Sequence, residues 1–338
     1  MSSLPILEFV CQDYHHFNAG ALKRAILDYH RHVSAGGKMF WALAGALSTA
    51  RLGIVLAPAI RNGLIHGLSV TGANIEESLL QMIVGEKYKF DWDYRYLKLE
   101  DDANYEAQGM ARVTDTLIPK EAFDVVGEML KSRWLSTQSA SGRRFWHDYF
   151  YDVAHQEGGK SAYGKRPNEC WLLAAAEQDI PIMVGGHADS SYGNYFASLC
   201  YRREISPNIV KSDIEYMVSF FDIYQDTLAP GHGCGYVQVG GGIAGDFAMC
   251  AVPSLRQDLG RSVPHWAYFC QVSDSITSFG SYSGAGANEK ITWNKTNAKT
   301  PAHLIESDAT LVVPIFLEAL LEAQRFPEAA MRLMTENR

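Results

Sequence analysis

Apolar residues recur at helical spacing between Ala21 and Ser34, where Leu22, Ile26, Tyr29 and Val33 share a face. Gly36-Gly37 follows, so the pattern predicts a helix and its stop. Further along, the pattern changes to short strand-like runs that each end in glycine or a small polar residue. Leu68–Thr71 leads into Gly72-Ala73-Asn74, a turn suited to cap a helix, and then into an amphipathic helix start over Ile75–Val84. Ile180–Val184 runs into Gly185-Gly186, and Gly235–Val239 runs into Gly240-Gly241-Gly242 with a small-residue helix start behind it. Trp266–Val272 ends at Ser273-Asp274, and a last helix, apolar on one face, is predicted over Ala309–Arg325.

Strand, glycine turn and helix make half of a nucleotide-binding unit. Its recurrence predicts an α/β, Rossmann-like fold: a mainly parallel sheet flanked by helices, with its binding crevice at the strand C-termini. No repeat or low-complexity linker divides the chain, which reads as one domain over 1–338 with a helical segment over 1–40. The Gly- and charge-rich stretch Gln138–Pro167 is the expected variable, mobile or inserted region. The most membrane-like window, Met39–Ile60, is interrupted by Ser48, Thr49, Arg51, Gly53 and Pro58, and reads as buried helix and loop rather than a span.

Composition narrows the function. Of 338 residues 47% are hydrophobic, enough for a large core, and 38 acidic against 30 basic side chains give a net charge of −8. That balance lacks the clustered Lys and Arg of a nucleic-acid binder and suits cationic small molecules. Six cysteines without a C-x-x-C pair suggest neither a metal site nor a disulfide framework, but reduced thiols in a cytoplasmic protein. Met1–Gln12 lacks a basic n-region and contains Glu8, unlike a secretory signal.

Three constellations could carry chemistry. Gly240, Gly242 and Gly245 satisfy G-x-G-x-x-G after a strand, the setting for backbone approach to a pyrophosphate, although glycine there also serves helix-on-sheet packing. The acid expected about 20 residues on is poorly placed, Asp258 being early and Asp274 late. Glu76-Glu77 fall in a first helical turn, where carboxylates are favoured by the macrodipole by about 0.3–1 kcal/mol each, and where they could also hold a ribose or an amine. The segment Ser283–Lys295 sets small residues, Glu289 and then Trp293 before Lys295. A lysine against an aromatic wall loses solvation and becomes a nucleophile toward an imine carbon; the plain alternative is an exposed loop with an ordinary lysine.

Ser283-Gly284-Ala285, Glu289, Trp293-Asn294-Lys295 and Ser307-Asp308-Ala309 running on to Pro314 together resemble the C-terminal signature of the deoxyhypusine synthase family. Thr71–Glu77, Asp189–Gly193 and Gly240–Gly242 resemble three further family blocks in the same order, so the similarity spans Phe40 to Ala323. The resemblance implies an NAD-binding Rossmann-like fold, in a homotetramer with active sites between paired subunits. It also implies transfer of an aminobutyl group from spermidine, through an imine on the active-site lysine, to a lysine of a protein acceptor. By position Lys295 becomes that nucleophile, Trp293 packs along the substrate and Glu289 grips a substrate amine. Glu77, Asp189 and Asp308 hold NAD, with Ser48, Thr71, Gly72, Glu76, Gly241, Gly242, Asp274 and Ala309 on the cofactor side.

The departures from the family change two polyamine anchors and one cofactor-side acid. Asn194, Tyr282 and Phe279 stand where the family has acids, Asp246 stands where it has a histidine, and Gly245 stands where it has a lysine. A buried ammonium without its carboxylate costs several kcal/mol, so spermidine in the family's usual pose is disfavoured. Asp246 is the expected replacement anchor for a substrate amine, beside Asn194 and Tyr282. The expectation is therefore an NAD-dependent transferase acting through Lys295 on a polyamine or other cationic amine, with a protein lysine or a small amine (a homospermidine-like product) as acceptor. An inactive NAD- or amine-binding relative is the alternative. Neither a membrane nor a nucleic acid is an expected partner.

Overall fold

The computed structural model describes residues 4–158, 166–275 and 286–336. In chain order the strands are β1 (Lys38–Leu43), β2 (Gly67–Val70), β3 (Lys89–Phe90), β4 (Met110–Val113), β5 (Thr116–Pro119), β6 (Ile182–Met183), β7 (Cys234–Val239), β8 (Tyr268–Ser273) and β9 (Ala302–Glu306). Six of them form one sheet in the order β6-β2-β1-β7-β8-β9, every pairing parallel. Counting only these six along the chain, the order is 3-2-1-4-5-6, that of a doubly wound dinucleotide-binding sheet. The expected α/β class holds.

The central strand β1 is the main departure. Lys-Met-Phe-Trp-Ala-Leu lies within and just before the window read as helix and loop, yet five of its six residues are buried as a strand. A strand covered on both faces has no polar alternation, so its pattern cannot be told from a buried helix. The same holds in part for β6, which keeps only Ile182 and Met183 of the predicted run. The helix Ala309–Arg325 has its predicted bounds, and the first long helix begins earlier, at Phe17.

The stretch Gln138–Pro167 contains a packed helix in its described part. Trp146–Gly158 is a helix whose Trp146 and Phe150 are fully buried, and Trp146 stacks on Trp134 of the helix Lys120–Ser139 at 5.6 Å. Asp148 and Asp152 of this helix are half-buried, whereas Glu157 lies buried. A small antiparallel sheet, β3-β5-β4, was not foreseen and precedes these helices. At the other end, Glu322 is buried on the helix Ala309–Arg325 and accepts the backbone N–H groups of Ile6 and Leu7 at 3.1 and 2.9 Å. No described helix is long and apolar enough to cross a membrane.

Gly72, first residue of the helix Gly72–Val84, lets that helix approach the next crossover: a Cβ there would lie 2.6 Å from Ser190 Cβ. Gly72→Ala should therefore cost about 1–3 kcal/mol, read as a lower urea midpoint at unchanged slope. An unchanged midpoint would show that the two helices can part freely.

Candidate active site

The sheet reverses its winding between β1 and β7, and in such folds the ligand crevice opens there, beyond the strand C-termini. A cleft of about 200 Å³ lies at that point, bordered by Ala44, Gly45, Gly240, Asp274, Asp308 and Thr310. Gly240 has φ +82°, and a Cβ on it would come within 2.8 Å of Ala44 Cβ, so only glycine lets the ends of β1 and β7 meet here. Gly242 is also at positive φ, whereas Gly241 is buried at the turn. Gly245 makes room for Gln238, whose amide would be 2.5 Å from its Cβ; the third glycine of the motif serves packing.

The 17-residue helix Ala309–Arg325 starts at the cleft, with Ala309 half-buried and the exposed Asp308 accepting the Thr310 N–H. The positive end of the helix dipole favours an anion, and exposed Asp308 and Asp274 carboxylates favour hydroxyl donors. Phosphate plus ribose is a ligand of that description, so the residues fit NAD.

Beneath the cleft, Thr71 caps the helix Gly72–Val84 by accepting the Asn74 N–H at 3.1 Å, and its own hydroxyl donates to the Gly45 carbonyl. The Asn74 amide, fully buried, points at the carbonyls of Leu43, Ala44 and Gly45 at 3.0, 3.1 and 3.0 Å. Its Oδ1 accepts from the Ser48 N–H and hydroxyl, and the Ser48 oxygen accepts the Trp171 indole N–H at 2.8 Å. Ser48 thus spends its polar groups holding the loop from below and, at 4% exposure, does not face the cleft.

Glu76 and Glu77 also turn inward. Glu76 accepts the N–H groups of Ser191 and Tyr192 at 3.1 and 3.0 Å, so it caps the neighbouring helix Ser191–Tyr201 and has no carboxylate edge left toward a cofactor. Glu77 is buried against Tyr88, whose hydroxyl donates to it at 3.2 Å. Burial, reinforced by the Glu76 charge, pushes the Glu77 carboxyl up to about 7. A raised carboxyl pKa favours the fold while the group is protonated. That stability is complete below the unfolded value near 4.5 and is lost as the pH rises through about 7. Glu77→Gln should flatten this dependence and raise stability at alkaline pH by about 2–3 kcal/mol. Parallel pH–stability curves for the two proteins would contradict it.

Asp189 and Asn194 are both exposed at the C-terminal end of β6, Asp189 in the loop and Asn194 on the helix that Glu76 caps. Between strand and loop lies a residue that sequence reasoning passed over: His187, stacked on Trp146 at 5.0 Å, with Nδ1 3.6 Å from Asp213 Oδ1. Its closeness to Asp189 was the available signal.

The lysine block stands on a short helix, Ala287–Thr292. Asn294, at φ 60°, ends it: the Asn294 N–H donates to Ile291 C=O and the Lys295 N–H to Lys290 C=O, both 3.0 Å. This is a Schellman ending with asparagine in the left-handed position. The Asn294 side chain is fixed by His265 at 2.7 Å and accepts from Arg256 at 3.3 Å. The Lys295 amine donates to Asp246 at 3.1 Å, with side chains 12% and 31% exposed.

Two expectations change here. The amine rests on a carboxylate and not on an indole, Trp293 being two-thirds exposed, and Asp246 is engaged by Lys295 instead of being left free for a substrate amine. Glu289 is exposed on the same helix. Phe279, Tyr282 and Ser283–Ala285 lie outside the described residues. Asp246 ends the helix Gly242–Asp246, which leaves directly from the glycine loop of the cleft, so one turn of chain joins cleft and amine. Lys290, five residues before Lys295, is almost wholly buried, and nothing in the sequence pattern singled it out.

The sheet order and the cleft at its reversal define a doubly wound α/β protein of the dinucleotide-binding type. A family model for deoxyhypusine synthase matches residues 11–320, and the chain belongs to that family. It is 25% identical over 308 residues to "probable deoxyhypusine synthase 1" of Archaeoglobus fulgidus, covering 90% of each chain. To the "deoxyhypusine synthase-like protein" of Nostoc punctiforme it is 24% identical, covering 93% of this chain and 79% of that one. A crystal structure described as that of a deoxyhypusine synthase from Entamoeba histolytica shares the fold, with a TM-score of 0.55 at 12% identity over 90% of this chain and 87% of that one.

Proposed function

We propose that this protein is an NAD-dependent transferase that moves an aminobutyl-type group from a polyamine, through an imine on Lys295, to an amine acceptor. The observation that carries the reading is the Lys295 amine, held at 3.1 Å by a carboxylate on the helix that grows out of the switch-point cleft. Bound in that cleft, NAD supplies the site for the hydride removed from, and later returned to, the carbon that bears nitrogen. Asp308 and Asp274 would hold the ribose hydroxyls, while the positive end of the helix Ala309–Arg325 and the Gly240–Gly242 turn would take the phosphates. Asp246 fixes the Lys295 side chain and offsets its charge while it is protonated. The freed amine then attacks the substrate imine carbon, expels the first amine, and holds the carbon chain until the acceptor nitrogen displaces it.

Trp293, Glu289, Asp189 and Asp308 are exposed, which leaves room for a second copy to complete the site, as in a homotetramer. Asn194, a neutral amide at the crevice rim, favours a small-amine acceptor and a homospermidine-like product over a protein lysine. The test is incubation with NAD and labelled spermidine, putrescine or agmatine, followed by borohydride reduction. A labelled adduct on Lys295 is the expected result. An adduct that survives Lys295→Ala would refute the assignment, and NAD binding without any product would favour the inactive relative.

A further inference from the structure

A Schellman ending brings the side chain of the third-last helical residue against that of the second residue past the helix end, usually as an apolar pair. In the helix Ala287–Thr292 those positions are Lys290 and Lys295. Lys290 is 1% exposed, and its amine lies 4.8 Å from the Phe269 ring centroid, over β8. Among the described residues it has no ion-pair partner; Asp246, the acid that acts on it most strongly, is already held by Lys295. Glu289 on its own helix and Cys250 beyond Asp246 also face it. Two cationic side chains act on this one carboxylate, and the charge of Lys295 disfavours a second charge on Lys290. Burial, with Lys295 adding to it, lowers Lys290 to about 8.

We propose that Lys290 and Lys295 form a lysine dyad on the Asp246 carboxylate, in which Lys290 accepts the proton that Lys295 must shed before its amine attacks carbon. The inference rests on Lys295 being the imine-forming amine. In the step, Lys295 ammonium and Lys290 amine become Lys295 amine and Lys290 ammonium; nothing is oxidised or reduced. The lone pair freed on Lys295 forms the carbon–nitrogen bond, and the proton returns when the group leaves. Lys290 acts through Lys295 and is a positioning residue.

The test treats the full chain with butyraldehyde and cyanoborohydride, which fix only unprotonated amines, and reads each lysine by peptide mass spectrometry from about pH 6 to about pH 10. Lys290→Met keeps the volume and removes the amine. The expected result is that half-maximal modification of Lys295 moves up by about one pH unit or more in this variant. An unchanged profile overturns the dyad and leaves Lys295 as nucleophile. Failure of Lys295 to react in the unaltered protein, while exposed Lys89 and Lys299 do, overturns both the dyad and the imine reading. Should Lys290→Met not fold, carbon-13 NMR of the unaltered protein labelled at lysine Cε decides. Both lysines should then show the same two titration steps, and two independent single steps overturn the dyad.

Discussion

Replacing Lys295 with alanine abolishes the trapped adduct and lowers turnover by about a thousandfold or more, while NAD binds as before. The asymmetry follows from the layout. The side chain that carries the substrate leaves the polypeptide beyond a helix end at Asn294, whereas the cleft is built from strand ends and the helix at Ala309. Measured by calorimetry, unchanged NAD affinity beside lost product would separate the two. Residual turnover within about tenfold of the unaltered protein would mean that another amine carries the group.

Asn74→Ala should have the largest effect on the fold, about 3–5 kcal/mol, because one buried amide serves both ends of the loop that floors the cleft. Its removal strands the Ala44 carbonyl and the Ser48 N–H, and takes one of two partners from the carbonyls of Leu43 and Gly45, in a space where Asn74 is 0% exposed. The urea midpoint falls at constant slope, and NAD affinity falls with it, since Ala44 and Gly45 border the cleft. A loss under about 1 kcal/mol would show that the Trp171 indole on Ser48 holds the loop by itself.

What the sequence made legible divides along physical lines. Alternation of short apolar runs with glycine turns found β2, β7, β8 and the helix Ala309–Arg325, because each has a marked beginning or end. It failed on β1, whose two covered faces remove alternation, and on the helix Trp146–Gly158, where Asp148 and Asp152 share a helix with Trp146 and Phe150 in the core. For the site, residue identity pointed to strand ends that border the cleft but not to side-chain direction. Asp274 and Asp308 face the cleft, whereas Ser48 and Glu76 at equivalent strand ends turn into the core because donors there, Trp171 and the start of the helix Ser191–Tyr201, claim them. Lys290 was invisible because its surroundings come from β8 and from Asp246, both distant in sequence.

The Glu322 carboxylate that receives the Ile6 and Leu7 amides lies 316 residues from the first of them. On the ribosome, the helix Pro5–Asp13 therefore emerges with its amino end unsatisfied and stays so until the helix Ala309–Arg325 has been made. A nascent chain stopped before Glu322 would present Leu7 and Val10 to chaperones and proteases, so a much later segment decides whether this helix is ever secured.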